Sequence, residues 1–159
     1  METKEILDFQ DQNIDSTFEL ASTGKRLANF IIDRVAYYII VVAIGAGIGF
    51  GLAQSGTFGN LETESIWFTL ADVVISLLLY AIFYIIQESL LKGKTLGKYI
   101  TGTRAVNEDN TEMNLETIVK RSFSRIVPFE PFSFLGSTPK GWHDTWSKTK
   151  VIVDKDWKG

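Results

Sequence analysis

The chain has 159 residues, a formal net charge of −3 and no cysteine, which excludes disulfides, thiolate metal sites and cysteine nucleophiles. Its hydrophobic content of 45% is ordinary for a soluble protein, but the apolar residues are gathered into two blocks and the charges into the remainder. That length and distribution fit one domain, or a membrane unit with a modest appendage.

Residues 1–20 carry six acidic side chains against one basic, Lys4, and read as an acidic tail. A signal peptide would open on a basic region and run straight into an apolar one, so this head argues against it. Residues 21–26 then form a helix entry, with Ser22 or Thr23 as the N-cap.

Leu27 to Ala53 is apolar for long enough to cross a bilayer, which takes roughly 20 residues. Arg26, Asn29, Asp33 and Tyr37 follow one another at helical spacing and share one face. An Asp inside a span costs about 2.5–3.5 kcal/mol on insertion scales, so Asp33 needs a reason. It belongs either to a buried structural ion pair or to a polar pathway. The far half holds Gly45, Gly47, Gly49 and Gly51, and the Gly45/Gly49 spacing favours close helix packing over a hinge.

A loop from 54 to 65 without Lys or Arg leads to a second span, Ile66 to Ile86, with Trp67 at its interfacial end. Thr69, Asp72, Ser76, Tyr80, Tyr84 and then Gln87 or Glu88 mark one polar face along the whole crossing. Such a stripe faces another helix or a second copy rather than lipid. Lys25 and Arg26 precede the first span, and Lys92, Lys94 and Lys98 follow the second. The positive-inside rule therefore puts both termini in the cytoplasm, with the protein in the plasma membrane. An antiparallel pair of spans separates Asp33 from Asp72 by roughly 10–15 Å, too far for a catalytic carboxylate dyad.

From 92 onward the chain reads as a cytoplasmic or interfacial region. Gly93-Lys94-Thr95-Leu96-Gly97-Lys98 is one residue too short between its glycines for a P-loop, and Tyr99 stands where Ser or Thr should bind magnesium. Tyr99 to Val106 reads as a strand, residues 107–110 as a turn, and Thr111 to Met113 as the returning strand of a short hairpin. Asn114 or Thr117 then caps a helix with Leu115, Ile118, Val119, Phe123 and Ile126 on its apolar side. Lys120, Arg121 and Arg125 lie opposite, which predicts a basic amphipathic helix on the anionic inner leaflet. The Pro- and Phe-rich stretch from Ile126 to Leu135 is too short to span and is either interfacial or re-entrant. The close, Gly141 to Val153, is a turn running into a short strand.

Arg26 heading the first span, Asp33 inside it, the Gly93–Lys98 stretch after the second span, and Gly141-Trp142-His143-Asp144 with its following Ser147-Lys148-Thr149 and Val-Ile-Val resemble the RDD family of small membrane proteins. The resemblance covers residues 21–153 as a single domain. It implies that the eponymous Arg and two Asp are Arg26, Asp33 and Asp144, and that the protein takes part in transport, of ions among other candidates. Many members have room for a third span before the last motif; this chain has only its Pro- and Phe-rich stretch.

The expected fold is therefore a mainly α membrane protein: an antiparallel transmembrane helical hairpin with a small α+β appendage. His143 beside Asp144 invites a catalytic reading, yet no nucleophile motif accompanies it, and no enzyme, cofactor or metal is expected. Basic residues beside membrane spans meet anionic lipid before nucleic acid, so nucleic acid is set aside as a partner. Two functions remain. One is transport of an ion or small solute by a homo-oligomer whose path is lined by Arg26, Asn29, Asp33 and Asp72, since two spans cannot enclose a pore alone. The other is a membrane module that recruits a protein partner through residues 92–159. In either case Arg26 is expected between Asp144 on the water side and Asp33 on the membrane side.

Overall fold

The computed structural model describes residues 18–56, 66–135 and 140–156. The acidic tail through residue 17 and the loop from 57 to 65 lie outside the described residues.

Two long helices dominate: α1, Thr23–Gln54, and α2, Ile66–Leu90. Ser22 caps α1, its hydroxyl accepting from the Lys25 N–H at 3.4 Å. At 32 and 25 residues their lengths are about 48 and 38 Å, more than the roughly 30 Å of hydrocarbon in a bilayer. Their burial pattern inverts that of a soluble helix. The residues that α1 buries are Arg26, Asn29, Asp33 and Tyr37, while Val42 and Phe50 stand 67% and 69% exposed. The two helices are long and apolar enough to cross a membrane, and the chain is a membrane protein.

A compact cap follows α2. Thr95 takes the N-cap of α3, Leu96–Thr101, and Gly102 ends that helix in the left-handed region at φ 65°. The strand expected from Tyr99 therefore begins only at β1, Thr103–Asn107, because cap and glycine together claim the preceding residues for a helix. Nor does β1 return through Thr111–Met113. It pairs antiparallel with β2, Thr149–Val153, in a register that sets Ala105 opposite Val151. The Asn107 amide instead donates to Thr111 Oγ1 and the Glu112 carbonyl, closing the turn on itself. Leu20 adds an isolated bridge to Ile152, which ties the entry to α1 to the sheet.

Between the strands lie α4, Leu115–Ser124, a 3-10 helix, Glu130–Leu135, and α5, Trp142–Ser147. The Asn114 side chain caps α4 by accepting from the Thr117 N–H at 2.8 Å. The start of α1 packs on α3, while the end of α2 packs on α4, which in turn packs on α5. The apolar core is small: Ala21, Ala105 and Val151 with Met113 at the sheet, and Tyr37, Tyr80 and Tyr84 with Phe83 between the long helices. Most of what the fold buries is polar.

Candidate functional site

That polar interior is built from the ends of every element of the cap. Asp144 lies in the first turn of α5, where one of its oxygens accepts from the Gly141 N–H at 3.2 Å. The same oxygen pairs with Arg26 of α1, and the other pairs with Arg121 of α4. Arg121 also donates to the Thr149 hydroxyl of β2. One carboxylate thus joins a membrane helix, two cap helices and, through Arg121, a strand. Burial opposes its charge, but Arg121, with His143 and Arg26, holds it well below the usual carboxylate range.

A second knot forms at Glu88, the last polar position of the α2 stripe. It accepts from Lys98 Nζ at 2.6 Å and Arg125 Nη2 at 2.9 Å, with Arg121 Nε at 3.4 Å, and is itself fully buried. Burial pushes the Lys98 ammonium down to about 7, against the pull of Glu88. Arg125 moves the other way, since the attraction of Glu88 outweighs its own burial. Beside these knots His143 Nδ1 pairs with Glu130, and burial pushes that imidazole down.

Asp33 sits apart from Arg26. Its two oxygens accept from Thr95 Oγ1 at 2.6 Å and from the Gly97 N–H at 2.7 Å, so it holds the start of α3 rather than facing the arginine. The Asn29 amide lies between the hydroxyls of Thr101, at 2.5 Å, and Thr103, at 2.9 Å. Gly97 permits this docking: a Cβ there would fall 2.5 Å from the Asn29 carbonyl oxygen.

Arg26, Lys98, Arg121 and Arg125 line a cavity of about 30 Å³ together with Asp33, Glu130 and His143, and these four basic side chains pair with Glu88 and Asp144. Arg26 Nε, Arg121 Nη2 and Arg125 Nε are buried without a protein partner among the described residues, and the cavity has room for a water. The arrangement ties α1 to α4 and α5 through Asp144, and α2 to α3 and α4 through Glu88. It can clamp helices together, and among the described residues no cluster of His, Asp or Glu is set to hold a metal ion.

The expected partnership of Arg26 and Asp144 is present, while that of Arg26 and Asp33 is not. Arg121 is fully buried against Asp144 rather than on lipid, while Arg125 turns inward to Glu88 and keeps only an edge of its side chain, 10%, exposed. Only Lys120 of that trio is solvent-exposed, paired with Glu116 one turn away at 2.7 Å. Gly45 meets nothing within 4 Å on its own chain, and Gly49 is half-buried, so the expected close approach at Gly45 is not made within one copy. Asp72 stands exposed on α2, remote from the knots. Sequence reasoning left Glu88 as an alternative to Gln87 and missed Lys98, Glu130, Thr95 and Thr149. Glu88 was discoverable, since it continues the Tyr80, Tyr84 spacing by one more turn.

The model of the RDD family matches residues 20–150. No curated protein and no solved structure matches the chain.

Proposed function

The chain belongs to the RDD family, and on that basis we propose that it self-associates in the plasma membrane and passes an ion or small solute between copies. The observation that carries this reading is Asp72, a carboxylate set on the exposed half of a membrane helix, between Thr69 and Ser76 on the same face. An ionisable group there needs a polar neighbour, and a second copy supplies the same stripe. Gly47 and Gly51, one helical turn apart and both with open space beside them, offer the close backbone approach that such an association uses. The Arg26–Asp144 and Glu88 knots have a structural part in this scheme, holding the cap at the cytoplasmic ends of both spans. Orientation rests on Lys25, Arg26, Lys92, Lys94 and Lys98 at that side.

The test is purified protein in liposomes, with proton and alkali-cation movement read by internal dyes. Flux in the wild type that is lost in Asp72→Asn, with the oligomer retained, supports the proposal. A strictly monomeric protein, or flux indifferent to Asp72, overturns it.

A second reading is favoured by the pairing of Arg26, Lys98, Arg121 and Arg125 with buried carboxylates of the same chain: a membrane module that assembles a partner and transports nothing. It predicts no flux under any gradient and a stable complex isolated through the 92–159 cap.

A further inference from the structure

Arg34 follows Asp33 by one position and stands outside both knots. Its guanidinium lies over the Tyr80 ring at 4.6 Å and the Phe30 ring at 5.2 Å. Among the described residues no carboxylate pairs with it, whereas Arg26, Lys98, Arg121 and Arg125 each have one. A cation at the edge of a membrane span without a counter-charge is costly unless something anionic reaches it.

The space beside it is a groove of about 540 Å³ between α1, α2 and the segment that follows α4. One wall carries Arg34, Tyr38 and Ser76, the other Pro128, Phe129 and Phe132. Phe129 and Phe132 are 74% and 66% exposed, as suits side chains at the depth where headgroups meet acyl chains. Arg125 also lines the groove; its side chain is 10% exposed and its Nε is buried without a protein partner. The groove thus brings Arg34, the exposed edge of Arg125 and the hydroxyls of Tyr38 and Ser76 into one space with the apolar side chains of Pro128, Phe129 and Phe132.

We propose that this groove is a binding site for an anionic phospholipid of the cap-side leaflet, its phosphate at Arg34 and its acyl chains along the Phe129–Phe132 wall. The occupant is argued from charge complementarity and from amphipathy. A free phosphate would satisfy Arg34 but leave the aromatic wall bare, and a zwitterionic lipid brings its own cation to the phosphate.

The test uses the full chain released from nanodiscs of equal phosphatidylglycerol and phosphatidylcholine, with retained lipid counted by native mass spectrometry. Phosphatidylglycerol should be retained about fivefold over phosphatidylcholine, the worth of one basic residue at the headgroup level. Arg34→Gln should erase that preference and Arg34→Lys should keep it, while millimolar inorganic phosphate should displace nothing. On the wild-type chain, a photoreactive phosphatidylglycerol should crosslink within 34–41 and 126–132, which keeps the proposal testable if Arg34→Gln fails to fold. Equal retention of both lipids, a preference that survives Arg34→Gln, displacement by inorganic phosphate, or crosslinks confined elsewhere overturns it.

Discussion

Arg26 at the start of α1 and Asp144 at the start of α5 are 118 positions apart in the chain and meet as a buried ion pair. Arg121 takes the other oxygen of the same carboxylate, which makes the two ends of the pair unequal. Losing Arg26 leaves Asp144 still held by Arg121, whereas losing Asp144 strands Arg26 and leaves Arg121 only its longer contact with Glu88 at 3.4 Å. Arg26→Ala should therefore lower stability in detergent by less than Asp144→Ala, whose cost is on the order of 3–5 kcal/mol. The double variant should be no worse than Asp144→Ala alone, as read by thermal unfolding. Additive losses would show that the two groups do not interact.

The same carboxylate sets an acid limit on the fold. Its folded value lies well below its ordinary one, so across that interval the unfolded chain binds more protons than the folded chain. The stabilisation is fully present above the unfolded value of about 3.9 and is lost as pH falls through the folded one. Unfolding midpoints should drop steeply below about pH 4, and Asp144→Asn, already destabilised, should show a shallower acid limb. Parallel acid limbs would assign the effect to other carboxylates.

The faces of the long helices were legible because polarity inside an apolar run stands out by its spacing. Arg26, Asn29, Asp33 and Tyr37 were marked this way, and all four are buried. The partners of these residues were less legible. Asp33 uses the Gly97 backbone N–H, a donor every non-proline residue has and no sequence pattern advertises. Arg121 and Arg125 lie on the charged side of an amphipathic helix, which ordinarily means outward. Here Asp144, 23 positions from Arg121, and Glu88, 37 positions from Arg125, invert that meaning. The pairing of β1 with β2 joins segments more than 40 residues apart, and a local turn signal at 107–110 competed with it.

Gly97 and Gly45 should respond oppositely to the same substitution. A Cβ at Gly97 would stand 2.8 Å from the Asn29 Cα, backbone against backbone, so α3 must move off α1. Gly97→Ala should cost roughly 1–3 kcal/mol, the range for overpacking, and weaken the Asp33 contact. At Gly45 a Cβ meets open space, so Gly45→Ala should leave the fold of one copy intact. If copies approach there, crosslinking efficiency should fall while monomer stability does not.

Because the chain has no cysteine, single introduced thiols report sidedness without background. Ser55→Cys at the end of α1 and Asp109→Cys in the turn after β1 are both exposed positions. The first should react with an impermeant maleimide in intact cells and the second only after permeabilisation. Reaction of both from outside would overturn the placement of the termini in the cytoplasm.

Asp33 decides between structure and conduction within the buried network. As a structural group it presents two acceptor oxygens to two donors, the Thr95 hydroxyl and the Gly97 N–H. Asparagine keeps the shape but turns one acceptor into a donor. Either its NH₂ meets the Gly97 N–H, or it meets Thr95, whose hydroxyl also accepts from the Lys98 N–H at 3.3 Å. One donor at the start of α3 is then left without an acceptor in a buried site, at about 1–3 kcal/mol. Asp33→Asn should accordingly lower the unfolding midpoint, and Thr95→Val in the same background should add little, because the pair acts as one unit. A proton- or cation-carrying Asp33 predicts the reverse: a midpoint close to wild type together with loss of liposome flux. Measuring both quantities on the same purified Asp33→Asn protein separates the two, and an unchanged midpoint would remove Asp33 from the structural clamp.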